Sequence, residues 1–423
     1  MPIPLLYLPL KVPVRYDLVH PLADWLDDES TQTTFDASNN GIDAPPSAWV
    51  VPKPTYSSVQ CRSELLRIAA LRNCMSESLQ DSHKAALQAE MLRDCKDYHA
   101  TLLTFEQEGF PTNFDDDGHT IQLTWRGAFG IKGQEQHSSL LWDRACTLWN
   151  VAALESAQAA FNSNESSKEG LKVAISNLQA AASHLSLCQE LVESLPEFTL
   201  STVDLSKPML QFWQKLFLAQ AQVSIYKLAN HKDAAVRNHT TLAYLIQGAA
   251  PLYNEALQYS QDPRLKSEVP QPCQEWAAHC KATSMLCQAR AYFHASIAAR
   301  VDKEHGLELA RLQQTTQQLT ELLQFCDSTA VLKEAVKLVS SKFKNDDTIS
   351  PMAAAAATIQ PEAEALQRLA QDRYTAALQD NRTIYMDDIP TTLTDIRPQT
   401  MVKTDLPLSD DMIQPRAKLF AWK

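Results

Sequence analysis

The stretch SSKEGLKVAISNLQAAASHL, residues 166–185, shows by its residue spacing how most of this chain folds. Ser166 and Glu169 have the spacing of a capping box, which predicts that a helix begins there. The alanine run at 180–182 would let a neighbouring helix approach closely. Apolar side chains recur every three or four residues and so mark one buried helix face: Leu171, Ile175, Leu178, Ala182 and Leu185.

Long helical patterns follow one another along the rest of the chain. Leu141, Ala145, Leu148 and Ala152 form one such stripe. The later helices are predicted at 207–230, 233–260, 270–301 and 304–327, each much longer than the roughly 11–12 residues of an average helix. Long helices joined by short breaks predict antiparallel hairpins stacked side by side, as in a tetratricopeptide-like solenoid. No fixed-period consensus occurs, so this prediction rests on helix length alone.

The N-terminal part has a different pattern. Residues 3–14 contain prolines and alternate weakly, which predicts an edge strand followed by an extended segment. The polar, proline-containing stretch 28–57 is predicted to be a surface loop. Helical patterning then covers about 59–108, and the alternation in 119–125 predicts a half-buried strand. A small N-terminal β-sheet is therefore expected beside the helices.

The C-terminal part is predicted to end in an extended segment. A loop is predicted over 345–360, and Pro361 is predicted to open a helix that ends near Leu378. Repeated Pro and Thr residues follow, so residues 381–423 are expected to form an extended tail that packs back on the helices. The fold class is therefore mainly α.

Composition limits the functions that this chain can have. Its formal net charge is −12, which argues against nucleic acid as the main partner because phosphate binding needs a basic face. No run of about 18 apolar residues occurs, so any membrane contact is expected to be peripheral. The nine cysteines are odd in number and include no C-x-x-C, which favours reduced thiols in a cytosolic protein.

The motifs of known catalytic and metal sites are absent from the sequence. No P-loop, G-x-S-x-G, H-E-x-x-H or Rossmann pattern occurs. Cys273, Cys280 and Cys287 lie about 10 Å apart along a helix, too far to share a metal ion, so they are predicted to be a core stripe. We predict no catalytic residue, cofactor, metal or small-molecule substrate. An enzyme could still be assembled from residues that are distant in sequence.

Several stretches resemble the Bro-one domain shared by Alix, the rhophilins, the His-domain tyrosine phosphatases and fungal pH-response scaffolds. The most specific is Leu218-Ala219-Gln220-Ala221-Gln222. The others, in matching order over about 110–410, are Leu123-Thr124-Trp125, Asn150-Val151-Ala152-Ala153-Leu154 with Glu169-Gly170-Leu171-Lys172, Leu309-Ala310-Arg311-Leu312-Gln313, and Asn381-x-x-Ile384-Tyr385 with Ile389-Pro390 and Leu406-Pro407.

The resemblance implies both an architecture and a function. It implies one elongated, curved domain over 1–423. It also implies a non-enzymatic adaptor that binds the C-terminal amphipathic helix of an ESCRT-III filament subunit of the Snf-seven/CHMP-four class in a hydrophobic groove. Such a protein would be cytoplasmic and recruited to endosomes, with a peripheral contact to the endosomal membrane as a further expectation.

The resemblance also points to groove residues. Positions just after Leu-Ala-Gln-Ala-Gln correspond to Ile225 and Tyr226, and the next helix supplies Leu242 and Leu245. Lys172 matches a position near the groove that could meet acidic residues of the peptide. Periodicity alone favours Ile225 and Leu245 as ordinary core residues, and their position after the motif is what points to the groove. Gln222 could lie at the groove edge or bridge helices.

Tyr385 is a candidate phosphorylation site. It is followed by Asp387 and Asp388, and acidic neighbours suit tyrosine phosphorylation. The alternative is a tyrosine that packs the tail onto the helices.

Two departures from the family leave a second function open. Relatives often carry a basic face for anionic membranes, which a net charge of −12 makes doubtful. Relatives also commonly continue into a coiled, proline-rich or catalytic region, so the chain could be a fragment or a protein made of the domain alone. The alternative function is a signalling scaffold, rhophilin-like or of the pH-response type, whose domain binds a different protein partner.

Overall fold

The computed structural model describes residues 6, 8–13, 66, 69–70, 72–73, 85–107, 122–129, 134–164, 167–195, 203–231, 237–342 and 351–403. The predicted surface loop at 28–57 lies outside these residues. The strands are β1 (Val12–Pro13), β2 (Leu123–Arg126) and β3 (Gln134–His137). The helices are α1 (Ala85–Gln107), α2 (Leu140–Asn164), α3 (Lys168–Ser194), α4 (Lys207–Asn230), α5 (His239–Gln247), α6 (Ala249–Tyr259), α7 (Pro263–Glu268), α8 (Pro270–Val301), α9 (His305–Ser328), α10 (Ala330–Lys342) and α11 (Pro351–Asp380), and the π-helical turn Asn381–Tyr385 follows.

Residue contacts group the chain into two compact units. One, the helical unit, comprises residues 1–9, 151–190 and 200–407, and the other, the sheet unit, comprises 10–150, 191–199 and 408–423. The single domain expected over 1–423 stays a prediction. The fold class is mainly α with a small sheet, as predicted.

The sheet unit contains a three-stranded antiparallel sheet in the order β1–β2–β3. Pro13 pairs with Trp125, and Trp125 pairs with Glu135. Among the described residues 8–13 of the edge strand predicted over 3–14, two residues form the strand. A side chain satisfies the backbone just before it: Asn150 accepts the Lys11 N–H at 2.8 Å and donates to the Lys11 carbonyl at 2.9 Å. β3 has no counterpart in the sequence-based prediction.

A buried charge organises this unit. Asp143 accepts the Trp125 indole N–H at 2.6 Å and the Tyr98 hydroxyl at 2.5 Å. Arg72 lies 3.4 Å from the same carboxylate, and neither side chain of this ion pair is exposed. Burial opposes the charge on Arg72, but the attraction of Asp143 raises the pKa of the guanidinium overall. Because every polar atom in this group has partners, the charge is tolerated in the core.

The helical unit is built around α8. This helix packs against α5, α6, α9 and α11, and α9 also packs against α11. Only three residues, 302–304, join α8 to α9, so the two form a hairpin of the predicted kind. The helix predicted at 233–260 is two helices that meet at Gly248, and its first residues fall in the undescribed segment 232–236.

Small residues line the face that α8 presents to its neighbours. Cys280 and Ala282 are fully buried, and Cys273 and Cys287 are nearly so, which confirms the core stripe. Burial raises the pKa of the Cys287 thiol to about 12, so it stays protonated at neutral pH. The seven cysteines within the described residues are all buried, and none of them forms a disulfide.

Two predicted helix starts are wrong. The cap of α3 is Ser167, whose hydroxyl accepts the Gly170 N–H at 2.9 Å, and α3 therefore begins one residue later than the predicted Ser166 box. Residues 351–360, predicted as part of a loop, are the first turns of α11, and Pro361 lies inside that helix. Alanine has the highest helix propensity, and Ala356, Ile359 and Ala363 bury against α8, α9 and α10. Together these effects outweigh the proline.

Replacing Pro361 with Ala should stabilise the protein. The change restores an N–H that can bond to the carbonyl four residues earlier, and Pro361 is exposed, so little packing is lost. We expect the free energy of unfolding, measured by urea denaturation, to rise by about 1–3 kcal/mol. Pro270→Ala, at the first residue of α8, is the control and should change it by less than about 0.5 kcal/mol. A neutral or lower value for Pro361→Ala would contradict this account of α11.

Candidate functional site: a groove bordered by the C-terminal tail

Two glutamines in α4 organise the surroundings of the Leu-Ala-Gln-Ala-Gln stretch. Gln220 and Gln222 are both buried, within a helix whose neighbouring positions 216–219 and 221 are buried as well. Gln220 accepts the Leu6 N–H at 2.8 Å and so holds the N-terminal segment. Two residues apart on a helix, the two amides point to different sides.

Gln222 holds α5 and the C-terminal tail at the same point. Its amide nitrogen donates to the carbonyls of Leu245 at 2.8 Å and Gln399 at 2.9 Å. Its amide oxygen accepts the Met401 N–H at 2.8 Å. The Gln399 N–H in turn donates to the Tyr244 carbonyl at 2.9 Å. Gln222 therefore bridges helices, one of the two roles considered for it, and also binds the tail.

Gly248 is the residue that permits this close approach. It joins α5 to α6, and a Cβ atom built there would overlap the Gln399 carbonyl and press against the Gln222 amide. A glycine at this position therefore lets the tail backbone pass directly over the helix junction.

The tail continues onto α3. The Lys403 N–H donates to the Gln179 side-chain oxygen at 2.9 Å. Residues 399–403 therefore cross α5, α4 and α3 in turn, and residues 404–423 lie outside the described part of the chain.

The crossing tail lies beside half-buried side chains of α3 and α4. Leu171 at the start of α3 and Asn230 at the end of α4 line one cavity, so the two helices run antiparallel. Ile175 lies one turn before Gln179, and Ile225 lies one turn after Gln222, which puts both on the same side of the tail. Both are half-buried, and Met401 in the tail is 52% exposed. We call Lys172, Ile175, Ile225 and Met401 the tail groove.

The predicted groove residues differ in exposure. Ile225 is half-buried. Lys172 is exposed, and its Nζ lies 3.6 Å from Glu169 Oε1. Leu242 and Leu245, by contrast, are buried in α5. Contact of Leu242 or Leu245 with a partner stays a prediction, since their burial also fits an ordinary core role. Met401 was not foreseen, because nothing in the tail sequence shows which helix face it meets.

Tyr226 is buried and its side chain is hydrogen-bonded within the protein. Its hydroxyl lies 2.8 Å from His294 Nε2, and His294 Nδ1 lies 3.0 Å from His239 Nδ1. Burial is the main cause that lowers the pKa of His294 to about 3, and it also lowers the pKa of His239. His294 is therefore neutral at physiological pH.

Tyr385 ends the π-helical turn, where it packs on a neighbouring helix, and its phosphorylation stays a prediction. Its ring stacks on His305 with a centroid distance of 3.4 Å, yet the residue is 41% exposed. Asn381 holds the turn by accepting the Asp387 N–H and donating to the Asp387 carbonyl, each at 3.0 Å. The tyrosine thus packs on a helix start and also reaches solvent.

Across the described residues, no group of three or more His, Cys, Asp or Glu side chains is placed to hold a metal ion. In the same part of the chain, none of the helices has the length and apolar character needed to cross a bilayer.

Comparisons with known proteins agree with the fold. The model of the BRO1-like domain family matches residues 53–421. The human programmed cell death 6-interacting protein is 31% identical over 245 residues, which are 55% of this chain and 25% of that protein. The pH-response regulator protein palA/RIM20 of Saccharomyces cerevisiae is 25% identical over 365 residues, 84% of this chain and 44% of that protein. This chain thus spans less than half the length of either relative.

A solved structure shows the same fold. The structure described as "ALIX BRO1 CHMP4C complex" superposes with a TM-score of 0.69 at 23% identity, and the match covers 98% of this chain and 99% of that one.

Removing the Gln222 amide should release the tail. Gln222→Met keeps the side-chain length but removes the bonds to Leu245, Gln399 and Met401. We expect the protection of the Met401 amide against hydrogen exchange to fall at least about tenfold, since each lost bond contributes roughly 0.5–1.5 kcal/mol. Gln258→Met, on the exposed side of α6, is the matched control. Unchanged protection at Met401 in Gln222→Met would show that other contacts hold the tail.

Proposed function

Because the chain belongs to the BRO1-like domain family, we propose that it is a non-catalytic adaptor that binds the C-terminal amphipathic helix of an ESCRT-III filament subunit. The observation that carries the proposal is the tail groove, which offers half-buried and exposed apolar side chains between two antiparallel helices. A peptide helix with apolar residues at i, i+3, i+4 and i+7 could place them against Ile175, Ile225 and Met401.

The charge at the groove favours an acidic peptide. Lys172 and Lys403 are both exposed, one on α3 and the other where the tail meets α3. In a chain with a net charge of −12, two lysines beside an apolar groove give local complementarity to acidic residues that flank an apolar stripe. Lys172 is the one predicted from the sequence.

The comparisons support this choice of partner. The structurally similar domain of ALIX is described in complex with CHMP4C, which motivates a CHMP-four-class peptide as the first ligand to test. Binding of such a subunit would place a cytoplasmic protein at endosomes, with at most a peripheral membrane contact.

If the groove recruits the protein to endosomes, a fluorescently tagged chain should lose its endosomal puncta when Ile225→Asp is introduced. Puncta that persist would exclude recruitment through the groove.

One observation favours a second candidate function. The palA/RIM20 relative matches over 84% of this chain and is described as a pH-response regulator. The same groove could then serve a signalling scaffold that binds another protein. The affinity for an ESCRT-III helix separates the two functions.

The test is a titration of the chain with a fluorescently labelled C-terminal helix peptide of a CHMP-four-class subunit. We expect micromolar affinity, about −8 kcal/mol. Ile225→Asp and Met401→Asp should each weaken binding at least about tenfold, because a carboxylate would have to be desolvated against the peptide's apolar face. Leu245→Asp is a poorer probe, since Leu245 is buried and the substitution would also destabilise the fold.

Val301→Asp is the matched control for these variants. Val301 is exposed at the end of α8, away from the tail groove, so the same change of charge should leave the affinity unaltered. Circular dichroism should show that each variant keeps its helical content. No binding up to about millimolar peptide would remove the ESCRT-III function and leave the scaffold in its place.

We also propose that Tyr385 is phosphorylated. Its ring is partly exposed and Asp387 and Asp388 follow it, so a kinase could reach it and recognise the acidic neighbours. Treatment with a broad-specificity tyrosine kinase, followed by peptide mass spectrometry, should find phosphate on Tyr385. The matched reference is Tyr374, whose hydroxyl accepts a hydrogen bond from Gln313 at 2.9 Å and should be modified less. Absence of phosphate at Tyr385 would refute the proposal.

A further inference from the structure

An open groove of about 570 Å³ lies beside the first half of α8. Its walls come from α6, α7, α9 and α10. We call it the α8 groove and define it by six of its lining residues: Leu257, Lys266, Ala277, Lys281, Phe325 and Val331. All six belong to the helical unit, and none of them is part of the tail groove.

The floor of the α8 groove is apolar and consists of small side chains. On α8, Cys273 is buried and Ala277 is half-buried. Leu257, Phe325 and Val331 are half-buried on the surrounding helices. Because the distance between two packed helices depends on the side chains at their contact, small residues on α8 let a further helix approach closely.

Two lysines supply the charge of the α8 groove. Lys281 is exposed, and its Nζ lies 4.5 Å from the centroid of the Phe325 ring. Lys266 is exposed as well. Burial raises the pKa of the Cys273 thiol to about 11 and the charge of Lys266 opposes this shift, so Lys266 lies near Cys273.

The positive charge of the α8 groove is not neutralised from within. Its lining contains no carboxylate, and among the residues that the structure describes neither Lys266 nor Lys281 forms an ion pair. Asp262, which also acts on the Cys273 thiol, caps α7 by accepting the Arg264 N–H at 2.9 Å and lies outside the lining. In a chain with a net charge of −12, this groove is therefore complementary to an acidic partner.

The start of α10 adds to this charge. Ala330 and Val331, the first two residues of that helix, line the groove. The first N–H groups of a helix have no acceptor within the helix, and they give its N-terminus a positive partial charge. A carboxylate near this wall is therefore favoured in addition to one at either lysine.

The two lysines lie towards opposite ends of the floor. Lys266 lies at the Cys273 end, and Lys281 follows Cys273 by eight residues, about 12 Å along the axis of α8. Acidic residues seven positions apart on a partner helix lie on one face and are about 10.5 Å apart. Apolar residues between them would face the small side chains of the floor.

From these observations we infer that the α8 groove docks an acidic amphipathic helix of a second protein, with its apolar residues on the floor formed by Cys273 and Ala277 and its carboxylates at Lys266 and Lys281. This mode of binding combines the packing of a helix in a groove with charge complementarity at the rim. The site is separate from the tail groove and does not depend on the ESCRT-III proposal.

The experiment uses a labelled synthetic helical peptide with glutamates at i and i+7 and leucines at i+3 and i+4. A second peptide carries lysines in place of the glutamates. Both are titrated by fluorescence anisotropy against the full chain with Ile225→Asp, so that the tail groove does not contribute to binding. We expect the glutamate peptide to bind with a Kd below about a millimolar, and the lysine peptide to bind at least about tenfold more weakly.

Two further substitutions in this background test the groove itself. Lys281→Glu should weaken binding of the glutamate peptide at least about tenfold, because like charges then meet at the rim. Val331→Asp should have a similar effect, and an acidic residue in the first turn of α10 is compatible with the helix. Lys303→Glu is the matched control, since Lys303 is exposed beyond the opposite end of α8 and should leave the affinity unaltered.

A photo-reactive leucine analogue at i+3 of the glutamate peptide locates the bound helix. We expect mass spectrometry to find its crosslinks within residues 270–281 or 325–331, which line the groove. Crosslinks to other parts of the chain alone would contradict the inference.

Three further results would overturn it. One is the absence of saturable binding up to about millimolar glutamate peptide. Another is an equal loss of binding in Lys303→Glu and Lys281→Glu, which would reflect overall charge. The third is tighter binding of oleate with the same dependence on Lys281, which would assign the groove to a lipid carboxylate. A chain that binds the glutamate peptide but not the CHMP-four-class peptide would contradict the tail groove alone.

Discussion

The three hydrogen bonds of the Gln222 side chain are the constraint on which the candidate site depends. This buried amide donates to the Leu245 carbonyl of α5 and to the Gln399 carbonyl of the tail, and it accepts the Met401 N–H. A buried amide left without partners would be costly, so α4, α5 and the tail must be positioned together. Gly248 makes the arrangement sterically feasible, because any Cβ there would overlap the tail. The tail therefore lies beside the groove because the buried Gln222 amide needs hydrogen-bond partners.

Small residues let the other helices of the helical unit pack closely around α8. α8 contacts its neighbouring helices through alanines and cysteines that are almost completely buried, such as Ala282, Cys280 and Ala289. Short side chains let the helix axes approach closely. Burial raises the pKa of the Cys280 and Cys287 thiols, so both stay protonated at neutral pH and contribute to packing.

Consecutive residues of α4 serve two different surfaces. Ile225 lies on the side of the tail groove, whereas Tyr226 and Lys227 line a cavity of about 530 Å³. The groove combines apolar side chains with lysines at its edge, which suits an amphipathic acidic helix. A helix turns by about 100° per residue, so consecutive residues of one segment can face different surroundings.

The sequence by itself determined the helical character, most helix bounds and the family, because these depend on spacing within a few turns and on local motifs. α4, for example, occupies the predicted 207–230. Local rules failed at Pro361, where burial of the neighbouring alanines outweighs the proline. Only the tertiary structure decided that Gln222 binds residues 177 positions away, that Met401 borders the groove, and that Lys227 faces Arg290. Such pairings follow from packing and polar satisfaction over the whole unit, which no periodicity along the chain encodes.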